Sequence, residues 1–306
     1  MEELFGPLQE QGLRARVVAA ERAGELQAEF AEREARDELN ARFIGPWLDK
    51  LSFGTPAGFV ARSLIVVAVP RPEHRAIFTW QGRDHTAVVP ATYVDYEKTT
   101  GRTEALLAGL LAARGWQCAG TRLPLKLLAA RGGLARYGRN NVSYVPELGS
   151  YYQLVAAYSD MPCEGDDWGE PRALERCATC RVCLQRCPTG AIRPDRFLLH
   201  VERCLALHNE QPAGVPFPGW IDPAWHHALI GCHLCQRDCP ENRGVRDQCG
   251  GTERFSGEET ALLLALEGPG ALPAETLARL ARLDLLGRLA IVRRNLRALL
   301  EAGARA

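Results

Sequence analysis

The sequence predicts an α+β fold joined to a cysteine-rich domain and a helical tail, and three observations carry that prediction. Short apolar runs with strand character alternate with helical stretches through the first half of the chain. Nine of the eleven cysteines then fall between residues 177 and 249. Leucines recur at helical spacing in the last part of the chain.

Taken in order, residues 20–43 are rich in Ala, Glu and Arg and read as a solvated helix. Residues 63–69 (SLIVVAV) are continuously apolar and stop at Pro70, as a buried strand does. Residues 76–80 and 86–89 read as further strands, broken by Gly82 and Pro90. A helix is expected over 103–115, stopped by Gly115, and another over 125–130, stopped by Gly132 and Gly133. Residues 142–146 and 151–158 are strand-like. The strand order is left open. An acidic stretch with two prolines, 160–172, breaks the pattern. Helices are expected at 257–268 and 274–302, separated by Gly268, Pro269 and Gly270. The expected domains are 1–165 (α+β, cofactor-binding), 166–250 (cysteine-rich) and 251–306 (helical).

The chain has 306 residues, 46% of them apolar, enough for one large core or two modest ones. With a formal net charge of zero, bulk electrostatics argue neither for nor against a polyanionic partner. No apolar run approaches the roughly 18 residues of a membrane span. The start, MEELFGPLQEQG, lacks a basic region followed by an apolar one. A cytoplasmic protein with no membrane partner is therefore expected. Thiols are kept reduced in that compartment, so a disulfide framework is disfavoured, and clustered cysteines point to metal.

Cys177, Cys180, Cys183 and Cys187 follow C-x2-C-x2-C-x3-C, with Pro188 next. This is the bacterial ferredoxin run, whose fourth cysteine ligates the other cluster in two-cluster proteins. Cys204 stands alone, and Cys232, Cys235 and Cys239 follow C-x2-C-x3-C before Pro240. The crossover rule yields two [4Fe–4S] sites. One takes Cys177, Cys180, Cys183 and Cys239; the other takes Cys187, Cys204, Cys232 and Cys235. Cys118, Cys163 and Cys249 remain spare. The competing reading is a pair of four-cysteine zinc sites. Two neighbouring clusters form a path for single electrons, and the large first domain suggests something at the end of it.

Two segments carry a family resemblance. One is 177–240, above all Gly231-Cys232-His233-Leu234-Cys235-Gln236-Arg237-Asp238-Cys239-Pro240 with Asn242 just after. The other is 134–162 (LARYGRNNVSYVPELGSYYQLVAAYSDMP). Both resemble epoxyqueuosine reductases, the cobalamin-dependent enzymes of tRNA queuosine synthesis, and reductive dehalogenases carry a stretch similar to the second. The resemblance covers roughly residues 60–245. It implies a cobalamin-binding domain related to flavin nitroreductases, fed with electrons by the clusters. A protein acid would supply a proton to the substrate. It further implies an electron donor such as ferredoxin or flavodoxin, and tRNA as a partner.

Carried over residue by residue, the resemblance makes Gly138, Arg139, Asn140, Asn141, Tyr144, Gly149 and Ser150 the cofactor-binding candidates. Thr121, before Arg122-Leu123-Pro124, stands where the family has its proton-donating aspartate. Asp95-Tyr96-Glu97 stands where the family has Asp-Tyr-His. A threonine hydroxyl is no general acid near neutral pH, so Asp95, Glu97 and Tyr137 become the candidate acids. Each has a plainer reading: turn chemistry for 138–141, a solvated helix start for 95–97, a packed aromatic for Tyr137. His226, His227 and His233 read as packing or surface residues, with His233 also able to donate to a cluster sulfur. The tail from 271 carries seven arginines against three acids, which suits either tRNA phosphates or a solvated helix face. Two functions follow: a cobalamin-dependent iron–sulfur reductase, or an electron-transfer or corrinoid-activating protein without substrate chemistry of its own.

Overall fold

The computed structural model describes residues 2–265, 270 and 272–305. The strands are β1 (Arg14–Ala19), β2 (Ser63–Pro70), β3 (Glu73–Trp80), β4 (Arg83–Val89), β5 (Cys118–Gly120), β6 (Arg136–Tyr137), β7 (Ser143–Tyr144), β8 (Tyr152–Ser159) and β9 (Cys249–Phe255). The chain divides into two compact units, both discontinuous in sequence.

The first unit comprises Met1–Pro70, Glu97–Arg181 and Pro194–Leu198. Its main sheet has the order β1-β2-β8-β5 with antiparallel neighbours. From Leu64 to Val69 β2 is continuously apolar, as befits a strand buried on both faces. Leu64, Val66 and Ala68 join one core with Tyr152, Leu154 and Ala156 of β8. Ile65 and Val67 join a second with Leu107 and Leu111. Those two leucines lie on the helix Tyr96–Ala112, which starts seven residues before the expected 103 because its buried stripe opens with Thr99 and Thr103. The Ala/Glu/Arg-rich stretch is two helices, not one. Arg22–Ala35 buries only Ala23 and Leu26, and the chain turns at Asp37, with φ of 53°, before Ala41–Leu48. β6 and β7 flank a tight turn after the helix Leu125–Arg131.

The second unit comprises Arg71–Tyr96, Val182–Arg193 and Leu199–Ala306. β3 and β4 form a hairpin through Gln81 and Gly82, both at positive φ. That is the geometry of a two-residue turn matched to strand twist. β9 lies parallel to β3 on its other side, and Phe255 stacks on Phe78 at 4.7 Å. The helices Gly257–Ala265, Ala274–Arg282 and Leu289–Arg305 close the core with Leu263, Leu280, Val292, Leu296 and Leu299. The helix expected over 274–302 is interrupted at Asp284, with φ of 54°, and by a 3-10 turn at Leu286–Arg288. Gly268 and Pro269 of the expected separator lie outside the described residues. Among the described residues no helix is long and apolar enough to cross a membrane.

Candidate functional site

Cys204, Cys232 and Cys239 lie just before short helical segments, where backbone N–H groups lack helical partners. Cys204 stands at the N-cap position of the helix Leu205–Glu210, where the nearby amides of Ala206 and Leu207 favour its thiolate form. The amides of Leu234 and His233 favour the Cys232 thiolate in the same way. Gly231, just before it, has φ of 65°, and a Cβ there would meet the Tyr93 ring at 2.6 Å. Only glycine satisfies both demands. Asn209 Nδ2 fixes the Gly231 carbonyl at 2.7 Å.

Three of the four cysteines predicted for one cluster, Cys187, Cys204 and Cys232, lie in the second unit within electrostatic reach of one another. Burial pushes the Cys232 thiol up to about 12, with the charges of Cys204 and Cys187 adding to the effect. Burial also raises Cys204, and Cys187 adds to it again. Neighbouring thiolates that repel one another when bare suit a site in which bound iron neutralises them. Thr189 Oγ1 lies 3.4 Å from Cys187 Sγ. Cys235 lies on the next helix, Leu234–Arg237. In the other predicted set, Cys177 and Cys180 belong to the first unit, Cys183 and Cys239 to the second.

The turn at 138–141 is built from its own side chains. Gly138 N–H donates to Val142 O at 2.8 Å, and Asn141 N–H to Gly138 O at 3.0 Å, with Asn141 at φ of 58°. Buried Asn140 donates to the Tyr144 hydroxyl at 2.9 Å, and its Oδ1 accepts from Val142 N–H at 3.3 Å. The turn also meets the cysteine segment. Arg139 N–H donates to Cys177 Sγ at 3.4 Å, and the Arg139 guanidinium donates to Cys177 O. Arg139 Nε is buried with no hydrogen-bond partner. An acceptor such as a corrin amide carbonyl fits that donor. Gly149, at φ of 56°, closes a second turn through its bridge to Val145, with Ser150 half-buried beside it.

The candidate acids differ in setting. Asp95 is half-buried at φ of 51° in the second unit. Glu97 is exposed in the first turn of the helix Tyr96–Ala112. Tyr137 is buried, with its ring edge-on to Phe197 at 5.1 Å, and burial raises its phenol well above the ordinary range. Thr121 extends the β8 ladder through its N–H to Ala156 O at 3.3 Å, and its hydroxyl bonds to Tyr158.

His233 is buried, with Nδ1 3.3 Å from Glu73 Oε2. Burial opposes ionisation of Glu73, but the bonds from His233 and Arg75 outweigh it and hold the carboxyl below its usual range. His227 Nε2 accepts the His233 N–H at 3.3 Å, and its Nδ1 lies 3.0 Å from Trp225 O. Glu73, on β3, and Tyr93, in the 3-10 turn after β4, were not legible as neighbours of Gly231 and His233, because they lie more than a hundred residues upstream. The tail arginines largely face protein groups. Arg279 pairs with Glu259, Arg282 with Glu253, and Arg297 donates to Leu264 O.

Comparison with known proteins agrees with the cysteine reading. Residues 176–242 match the family described as the 4Fe-4S double cluster binding domain. Epoxyqueuosine reductase of Synechococcus sp. (strain CC9605) is 32% identical over 130 residues, 42% of this chain and 39% of that protein. The Atelocyanobacterium thalassa (isolate ALOHA) enzyme is 31% identical over 153 residues, 49% of this chain and 48% of that protein. The matches thus span less than half of these relatives. Among solved structures, epoxyqueuosine reductase from Streptococcus thermophilus superposes with a TM-score of 0.69 at 19% identity, covering 99% of this chain and 82% of that one. An epoxyqueuosine reductase with a tRNA-Tyr epoxyqueuosine-modified stem loop gives 0.67 at 21% identity, covering 98% and 80%. The fold is that of the epoxyqueuosine reductases, and residues 176–242 are a double-cluster domain.

Proposed function

We propose that this protein is an iron–sulfur oxidoreductase that passes electrons through two [4Fe–4S] clusters to a bound cobalamin for reduction of a substrate, as its relatives' name implies for epoxyqueuosine. The match of residues 176–242 to a double-cluster domain carries this reading, with Cys187, Cys204 and Cys232 within electrostatic reach of one another inside it. Cobalamin would supply strongly reducing chemistry once loaded. The residues offered to it are the turn at Gly138, Arg139, Asn140 and Asn141, whose Arg139 Nε is an unused buried donor, with Tyr144, Gly149 and Ser150 as support. Asp95, Glu97 and Tyr137 are the candidate proton donors. The functional division we adopt is cofactor binding in 1–165, electron delivery in 166–250 and support in 251–306. A relative holds a modified tRNA stem loop, which makes tRNA the leading candidate partner. A ferredoxin or flavodoxin is the candidate electron donor, and the cytoplasm the candidate location.

A second reading is favoured by Thr121, whose hydroxyl is engaged by Tyr158. Without a carboxyl there, the chain would be an electron-transfer or corrinoid-activating protein.

Anaerobic purification with iron and sulfide analysis, followed by cobalamin titration, tests the first reading. We expect two clusters and a base-off corrin spectrum. Zinc without acid-labile sulfide overturns the clusters. Clusters without a corrin shift overturn the cobalamin. Bound corrin that turns over no modified tRNA supports the second reading.

A further inference from the structure

We propose that the loop formed by residues 212–220 is the docking surface for a small acidic flavodoxin-type carrier, and that electrons enter through it to the cluster held by Cys187. This rests on the iron–sulfur reading above.

The loop displays apolar groups to solvent while its backbone is held rigid. Val215 is 43% exposed and Trp220 39%. Pro212, Pro216 and Pro218 each fix a backbone dihedral. Arg294, from the helix Leu289–Arg305, reaches under the loop. It donates to the carbonyls of His208 at 2.7 Å, Pro212 at 3.1 Å and Val215 at 2.8 Å. Its guanidinium also lies 4.4 Å from the Phe217 ring centroid. Asn295 donates at 2.8 Å to Asn209 O and to Leu229 O, which tethers the long segment between Cys204 and Cys232. Burial lowers the Arg294 pKa, so this cation is held in place against a desolvation cost. Apolar groups on a fixed backbone lose little entropy on binding, and aromatic and arginine residues are enriched at interfaces.

Position and charge select the occupant. The Arg203 guanidinium lies 5.1 Å over the Trp220 ring, and Arg203 Nε donates to Thr189 O at 2.8 Å. Thr189 Oγ1 is 3.4 Å from Cys187 Sγ. The exposed loop is therefore two residues from a cluster ligand. Arg203 is itself exposed, and its partners are a ring face and a carbonyl, so its charge is presented to a partner. An acidic protein with an apolar redox edge complements this patch, and redox encounters need only a small interface. The exposed edge of a flavodoxin's flavin is apolar and can stack on an indole. In the transfer, one electron leaves the anionic flavin hydroquinone, which becomes the neutral semiquinone without releasing a proton, and that electron arrives on the cluster.

The test is anaerobic stopped-flow reduction of the cluster-loaded protein by reduced flavodoxin, with dithionite as the small-molecule comparison. Trp220→Ala and Val215→Asp are expected to slow reduction by flavodoxin about tenfold or more, the scale of losing an interface anchor. Dithionite reduction should be unchanged, and the wild-type flavodoxin rate should fall with added salt. Unchanged flavodoxin rates in both variants overturn the proposal, as does a wild-type protein reduced by a ferredoxin but not by flavodoxin. Should Trp220→Ala also slow dithionite, Val215→Asp decides alone, because it leaves the Trp220–Arg203 stack in place. If the substitutions instead disrupt pairing of two copies of this chain, or tRNA binding, while flavodoxin rates hold, the surface serves that partner and the proposal fails. Purified protein without acid-labile sulfide would remove the iron–sulfur reading itself, a result separate from all of these.

Discussion

The backbone N–H of Arg139 donates to the sulfur of Cys177 across 3.4 Å. One residue thus belongs both to the candidate corrin-binding turn and to the surroundings of a predicted cluster ligand. A cluster gains negative charge on reduction, so an N–H donor stabilises the reduced form more than the oxidised one. Arg139→Pro removes the donor. A bond to a charged group contributes about 1.5 kcal/mol, and a tenfold change corresponds to about 59 mV for one electron, so a fall of about 30–60 mV in that cluster's potential is expected. Arg139→Lys keeps the N–H and loses only the guanidinium bond to Cys177 O. Redox titration followed by electron paramagnetic resonance should therefore find it close to wild type. Equal potentials in the proline variant and wild type would refute the link.

Gly138 has no room for a side chain. A Cβ there would lie 2.5 Å from Asn140 Oδ1 and 2.6 Å from Tyr144 Cε2. Gly138→Ala must push apart the Asn140–Tyr144 pair that builds the turn, at a cost of about 1–3 kcal/mol. Iron content should be retained. Cobalamin titration should find affinity reduced about tenfold or more, as expected when a binding group is displaced by that energy. Wild-type affinity in a stably folded variant would show that the turn does not bind corrin.

Sequence reading reached the elements whose periodicity is set by burial. β2 was legible because both of its faces are buried, and β8 likewise. β1 was missed because Arg14 and Arg16 interrupt it, although Val17 and Val18 are buried. β9 was missed because Gly250 and Gly251 carry no strand signal; its pairing comes from β3, far upstream. The double-cluster domain was legible from cysteine spacing alone, since ligand spacing along a loop is local. Glu73, Tyr93 and Arg294 were not, because they reach the cysteine segments only through tertiary packing. The tail arginines read as a charged face, yet Arg279, Arg282, Arg294 and Arg297 bond to protein groups.

Thr121 offers a direct test between the two functional readings. Its hydroxyl bonds to Tyr158, whose phenol is raised by burial. A carboxyl introduced by Thr121→Asp would meet the same buried surroundings, which push its pKa up toward the range useful for proton donation. If the protein is a reductase limited by its proton donor, turnover of epoxyqueuosine in tRNA should rise about tenfold or more, within the range attributed to general acids. The gain should fall as pH rises through the new carboxyl's pKa. If the protein only delivers electrons, the substitution will leave cluster reduction rates unchanged and create no turnover. Nucleoside analysis of the tRNA product separates the two.

His226 predicts how stability varies with pH. It is buried, its Nδ1 has no hydrogen-bond partner, and the Phe217 ring lies 4.5 Å away. Burial lowers its pKa from 6.5 to about 4, and the charges of His227 and Arg294 assist. The unfolded chain therefore takes up a proton at a higher pH than the folded one. The neutral ring contributes fully above pH 6.5. Its contribution falls as the pH drops toward 4, by a total on the order of 3 kcal/mol. His226→Asn cannot take up that proton. Between pH 7.5 and pH 5, where about 2 kcal/mol of that total is lost, the melting temperature of the wild-type cluster-loaded protein should fall by about 3 °C more than that of the variant. Parallel melting curves over that interval would mean that His226 is not held neutral by the fold.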